Sequence, residues 1–319
     1  MSVSGFVASI RLLSRSVRSA PTARRSHVLA YLGLAVGILS IGFSAILVRW
    51  AGAPGTVVSL YRMAVPVVLL AAPFYRRVNL LGGLPRRGVQ IAMLGGVLFA
   101  GDLALWASGV MLGGATNPTL LANTAPVWVG LGSLIFFKES LGVRFWVGLA
   151  LALGGAILIL GLDTLRTATL GLGTWLGLMS AFFYGGYFLV TQRGRESLDP
   201  LSYFWLAALS STLTLLALSF ALGQPLTGYS TFTYLNFLAL GVVVQIVGWL
   251  AINYAQGYLP ASTVAPTMLG QPVVTAGLAA LLLGERISAW HMVGGVMVLA
   301  GVYAVHRSRQ KKRGQEARG

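Results

Sequence analysis

Asp102 lies in the stretch LFAGDLALWASG, residues 98 to 109, whose other members are apolar or small. If such a run crosses a membrane, an ionisable side chain in it costs at least a few kcal/mol and is kept for a partner or a task. Arg62, in LYRMAVP, is a second charge in similar surroundings. A carboxylate and a guanidinium could neutralise one another as a static bridge, or they could meet the charges of a bound solute or a proton. Both readings are open from the residues alone.

Polar residues recur elsewhere at helical spacing. Gln245, Trp249 and Asn253 fall at i, i+4 and i+8, and Thr263, Thr267, Gln271 and Thr275 share one face of another segment. Thr116, Thr119 and Asn123 form a third row, and Ser180, Tyr184 and Tyr187 a fourth. Each row could line an aqueous cavity or join packed helices by hydrogen bonds. For Gln245, Asn253, Gln271 and Asn123 the cavity reading is preferred, and for the Ser and Thr residues the packing one. With Trp106, Trp249, Tyr184 and Tyr187 beside them, the candidate lining suits small amphipathic solutes such as amino acids.

The elements that must hold these residues are set by composition. Of 319 residues, 56% are hydrophobic and 9% charged, whereas a soluble domain carries about 25% charged residues. Windows of about 20 apolar residues, enough for a helix to cross about 30 Å of hydrocarbon, mark ten segments. They run over about 28–49, 55–75, 88–109, 115–136, 142–161, 171–192, 200–222, 232–257, 261–284 and 288–306. Runs such as WVGLALALGGAILILGL lack the alternation of a β-barrel strand, so the expected class is an all-α membrane protein. At 1.5 Å per residue, Arg62 and Asp102 both fall about 10 Å below the same boundary on neighbouring helices.

The net charge of +16 is placed by topology. With the N-terminus inside, only Arg49, Arg62, Arg166 and Arg286 of the 23 Lys and Arg fall outside the cytoplasmic segments. This positive-inside bias puts both termini in the cytoplasm. The basic tails, residues 1–26 and 308–319, are expected to lie against anionic headgroups rather than nucleic acid. Residues 1–26, with five Arg and no acid, also fit an organellar transit peptide, a reading ranked below a cytoplasmic tail. The absence of cysteine excludes disulfides and thiolate sites. The histidines His27, His291 and His306 sit near segment ends, and neither metal nor cofactor is expected. Glu139 and Glu285 also sit at segment ends, where an interfacial cap or loop anchor is the preferred role.

Sliding the chain along itself by 146 residues sets ATNPTLLANTAPVWVGLGSLIFFKESL over ASTVAPTMLGQPVVTAGLAALLLGERI without a gap. Pro126 falls on Pro272, Glu139 on Glu285, Gly148 on Gly294 and Gly155 on Gly301. Two five-helix repeats follow, 27–161 and 173–307; because five is odd, the second enters the membrane from the opposite side. Pro126 and Pro272 fall near the middle of their segments, where each frees a carbonyl, of Ala122 and Met268 respectively. Paired interruptions of this kind are either helix breaks at a binding site or packing kinks. The 41 glycines, close to twice the usual share of about 7%, are read as packing within a monomer.

The stretches GFSAILVRWAGAP, LYRMAVP, TLLANTAPVWVGLGSLIFFKESL and WLAINYAQGYLPASTVAPTMLGQPVVTAGLAALLLGERIS resemble the EamA family of the drug/metabolite transporter superfamily, over about residues 28–306. The resemblance implies a ten-helix inner-membrane carrier that exports small metabolites, with its pathway between the repeats. Many relatives carry Trp-Gly in the first helix where this chain has Ile41-Gly42, so substrate stacking by that Trp does not carry over.

Rival classes fit less well. An intramembrane aspartyl protease needs two facing aspartates and usually Gly-x-Gly-Asp, but Phe99 holds the first glycine position. Terminal histidines cannot readily serve a Ser-His site. No filter-like loop suggests a channel, and a structural subunit would not need paired central prolines. No G-x-x-x-x-G-K-[ST] occurs, so transport would be secondary.

Overall fold

The computed structural model describes residues 20–113, 116–160, 171–283 and 287–316, and these are helical, with short turns between. Glu285, Arg166 and residues 1–19 lie outside the described residues.

The apolar segments become helices whose breaks follow their Gly and Pro. Helices α1 (Ala20–Gly42) and α2 (Ser44–Ala51) break at Phe43. Helices α3 (Gly55–Leu69) and α4 (Ala71–Leu81) meet at a 52° bend three residues after Pro66 has removed an N–H from the ladder. Helix α5 (Arg86–Gly113) is unbroken. The segment with Pro126 splits into α6 (Thr116–Ala122) and α7 (Ala125–Phe136), with the proline in the first turn of α7, where its missing N–H is no loss. Helices α8 (Val143–Leu160) and α9 (Leu172–Gly194) follow. Helix α10 (Pro200–Ala221) starts at Asp199, whose side chain accepts from the Ser202 N–H, and carries Pro200 at its first position.

The second half repeats the broken pattern with different chemistry. Helix α11 (Thr231–Ala239) runs into a π-helical stretch, Leu240–Trp249, and then α12 (Leu250–Gln256). Helix α13 (Ala261–Thr267) passes through a 3₁₀ turn, Met268–Gly270, into α14 (Gln271–Leu283), whose second residue is Pro272. Helix α15 (Ala289–Glu316) ends the fold.

Among the described residues, eight helical stretches are long and apolar enough to cross a membrane, or nine if bent α3–α4 is one span. Helix α9, 23 residues long, is not among them; its Gly, Tyr and Thr residues dilute its apolar character. This is a multi-pass membrane architecture.

The packing pairs α5 with α9 and the π stretch with α1, α8 with α15, α3 with α10, and α7 with α13. Carrying both members of a pair across the 146-residue offset lands on a pair of this set for all but α7–α13, whose counterparts are α14 and α6. The α8–α15 crossing shows the rule at atomic scale. A Cβ on Gly148 would lie 2.9 Å from the Gly301 carbonyl oxygen, and one on Gly155 would lie 2.5 Å from that of Gly294. Only glycine allows that approach. Since Gly148 is offset to Gly294 and Gly155 to Gly301, the two contacts exchange into each other.

Candidate functional site

Arg62 projects from α3 into the centre, only 6% exposed, and faces Gln245 on the π stretch, which is wholly buried. With its amide oxygen turned to the guanidinium, Gln245 accepts from Nε at 2.9 Å and Nη2 at 3.2 Å. The reverse orientation would oppose two donors. Asp102 on α5, 7% exposed, accepts from the Ser180 hydroxyl of α9 at 2.5 Å.

The direct bridge that the sequence allowed is not formed. Among the described residues the ion pairs within 4.0 Å include Arg77–Asp199, Arg193–Glu196 and Arg309–Glu139, but not Arg62–Asp102. Each charge takes a neutral partner from the other half of the chain instead. Such partners supply hydrogen bonds but leave both charges uncompensated by direct contact in a medium of low polarity.

An aromatic cluster completes the centre. Tyr187 stacks on Phe99 with ring centres 4.5 Å apart. Trp249 meets Phe99 at 4.8 Å, Tyr187 at 5.4 Å and Tyr184 at 6.0 Å. Asn253 donates to the Tyr187 hydroxyl at 3.3 Å and to the Trp249 carbonyl at 2.8 Å. The Asn253 Oδ1 and the Gln256 Oε1, both buried, have no hydrogen-bond partner among the described residues. Orphan acceptors of this kind call for an explanation.

A second group gathers at the α6–α7 break. Trp106, one turn beyond Asp102, donates its indole N–H to Thr119 Oγ1 at 3.1 Å, and Asn123 donates to the Thr119 carbonyl at 2.9 Å. Gln271 stands half-buried at the head of α14, beside Pro272 and the 3₁₀ turn. Arg62, Asp102, Tyr184, Tyr187, Gln245, Trp249 and Asn253 are thus brought together, while Trp106 and Asn123 form an annex and Gln271 stands apart. In this conformation the row expected to face water is closed: Gln245, Trp249 and Asn253 are 0%, 2% and 0% exposed.

Sequence reasoning missed three features. The π stretch has no signature in its residues, LGVVVQIVGW; π-helical turns often mark functional sites. Phe99 and Phe188, two more members of the aromatic cluster, read as ordinary apolar positions. Glu139 carries a contact between the halves: its Oε2 accepts from Ser262 Oγ of α13 at 2.6 Å and pairs with Arg309 of α15 at 2.8 Å. Nothing in the chain order links residues 139, 262 and 309. At the same end of the bundle, Arg195 donates to the Asn253 carbonyl at 2.8 Å and the Gln192 side chain accepts from the Ala261 N–H at 2.6 Å. Arg77 approaches Asp199 there at 3.6 Å. Burial works against the Asp199 carboxylate, but hydrogen bonds from Ser202 and the charge of Arg77 outweigh it and hold the carboxyl below its ordinary value. This end is tied shut by contacts between different helices.

Comparison with known proteins gives the arrangement a context. The model of the EamA-like transporter family matches twice, over residues 28–161 and 171–307. The chain is 24% identical over 273 residues to the uncharacterized transporter YdfC of Bacillus subtilis, covering 84% of this chain and 87% of that protein. It is 24% identical over 262 residues to the pseudopaline exporter CntI of Pseudomonas aeruginosa, covering 81% and 88% respectively. A probable amino-acid metabolite efflux pump of Salmonella typhimurium is 29% identical over 184 residues, 55% of this chain and 61% of that protein. Matched twice, over nearly all of its helices, the chain belongs to the EamA-like transporter family.

Proposed function

We propose that this protein is a secondary exporter of small metabolites, amino acids or related amphipathic solutes, working by alternating access between two inverted five-helix repeats. The observation that carries the proposal is the meeting, at the junction of the two family matches, of Arg62 with Gln245 and of Asp102 with Ser180 around one aromatic cluster. A solute with separated positive and negative groups and an apolar body can exchange the neutral partners of these two charges for its own. The buried orphan oxygens of Asn253 and Gln256 offer further acceptors to an ammonium group. The relatives named as exporter and efflux pump support outward movement.

The ten spans, the symmetry axis in the membrane plane and the cytoplasmic placement of both termini belong to this reading. It is supported by the glycine contacts that exchange under the 146-residue offset and by the distribution of Lys and Arg. In that orientation Glu139, Ser262 and Arg309 form a cytoplasmic latch. Pro126 and Pro272 lie at the breaks about which the halves rock, the protein acts as a monomer in the inner membrane, and its basic tails rest on anionic headgroups. Counterflow in proteoliposomes loaded with a mixed metabolite pool tests the proposal. Exchange of at least one amino acid or similar zwitterion, abolished in Asp102→Asn, is expected; exchange of none contradicts it.

A further inference from the structure

On the flank of the bundle, away from the charged centre, α7 and α9 diverge around a crevice of about 750 Å³. Its walls include Trp128, Ile135, Phe182, Gly186 and Leu189, and Arg193 stands at one end. Ile135 and Phe182, 70% and 51% exposed, mark it as open to the surrounding medium rather than to the protein core. From Phe182 to Arg193 the crevice follows α9 for about 17 Å at 1.5 Å per residue. Half of a bilayer's hydrocarbon thickness is about 15 Å. The crevice is therefore as long as one leaflet is deep, and its single cation falls where headgroups begin. Lys138, which follows the crevice residue Phe137, adds a second exposed cation at that end.

We infer that this crevice binds one anionic phospholipid, with an acyl chain between α7 and α9 and the phosphate on Arg193. Among the described residues the lining carries no hydroxyl, amide or carboxyl side chain, so a polar solute finds nothing along it to replace its hydration. A hydrocarbon chain needs nothing more. Arg193 holds Glu196 at 2.8 Å, with both side chains about half exposed, and a lipid phosphate takes the place of one solvated anion with another. Gly186 keeps the floor deep: a Cβ there would come no closer than 3.4 Å to Leu98, so a longer side chain enters the crevice instead of colliding with backbone. Since α7 and α9 belong to different family matches, the lipid wedges the two halves. The inference stands on the crevice, whether or not the chain moves a solute.

Native mass spectrometry of the full-length protein, purified in detergent and mixed with equal phosphatidylglycerol and phosphatidylcholine, reads the site. Selective retention of one phosphatidylglycerol is expected. Gly186→Leu should abolish retention of that lipid, Arg193→Gln should abolish the preference, and Glu196→Gln should increase it. Arg87→Gln, which removes an exposed charge outside the crevice, should change nothing. Equal retention of the two lipids by the parent overturns the inference, as does unchanged retention in Gly186→Leu. A loss in Arg87→Gln as large as in Arg193→Gln also overturns it, because the attraction would then be a property of the whole basic face. A melting curve on each variant separates lipid loss from unfolding, and quenching of Trp128 by brominated phosphatidylglycerol in parental protein gives an independent reading.

Discussion

Helix α5 and the α11–π–α12 stretch occupy equivalent places under the 146-residue offset, yet they are built differently. The first is an unbroken α-helix with a carboxylate at its centre; the second is π-wound over ten residues and carries amides and an indole. Position by position, Phe99 stands for Gln245, Asp102 for Gly248, Leu103 for Trp249 and Ala107 for Asn253. The reason is partly steric. Gly248 presses on α1, where a Cβ would sit 3.0 Å from that of Ser40, so a side chain at the equivalent of Asp102 would crowd that helix. What repeats is the frame of helix contacts, and what does not repeat is the chemistry mounted on it. A symmetric frame can rock between two states, whereas an asymmetric site can hold the two ends of a polar solute differently.

The sharpest way to break this comparison is to substitute equivalent positions. Gln245→Leu strands the Arg62 guanidinium without its acceptor, a change expected to cost about 3 kcal/mol, the upper end for a buried donor left unsatisfied. Phe99→Leu, its counterpart, removes only packing and should cost about 1 to 2 kcal/mol. Unfolding in detergent measures both, and equal losses would show that the asymmetry carries no energetic weight. Deleting a residue from each stretch is the next test. A π turn holds one residue more than an α turn, so deletion of Val243 should be absorbed as regular helix, leaving a folded protein whose exchange falls about 100-fold through misplacement of Trp249 and Asn253. Deletion of Val97 from α5 has no such slack and should prevent folding. If both deletions fold equally well, the π stretch is not a structural distinction between the halves.

Smaller effects are expected at the tied end. Glu139→Gln keeps shape and weakens the contacts with Ser262 and Arg309, and should shift access towards that end about 3- to 10-fold, for a loss near 1 kcal/mol. Thiol labelling of single cysteines placed around the latch reads this shift, and unchanged labelling would make Glu139 a loop anchor. Asp199→Ala should cost about 0.5 to 2 kcal/mol as a lost helix cap. Because the folded carboxyl is held below its ordinary value, its contribution is complete at neutral pH. It disappears as pH falls below about 3.9 through the folded value. Parent and variant should therefore converge in acid, and a gap that persists there would point to packing.

How much of this was legible depends on the kind of signal. Apolar segments and the internal offset are written along the chain, so Pro126 and Pro272 could be located before any coordinates. The spacing i, i+4 and i+8 groups Gln245, Trp249 and Asn253 before any coordinates, because spacing within one helix is local information. Which partner each residue meets is not local. Arg62 and Asp102 looked like neighbours on adjacent helices, yet each turned to the other half, to Gln245 and Ser180. The π winding and the Glu139 contacts depend likewise on how distant helices pack, and no spacing along the chain encodes them.

The central claim is that the closed polar core opens to water from each side in turn. The chain has no cysteine, so a single Asn253→Cys variant in right-side-out and inside-out vesicles tests it directly with a membrane-impermeant thiol reagent. Asn253 is 0% exposed in this conformation, and alternating access predicts that it nevertheless reacts from both sides, more slowly when a transported solute is present. Complete protection from both sides would contradict the account.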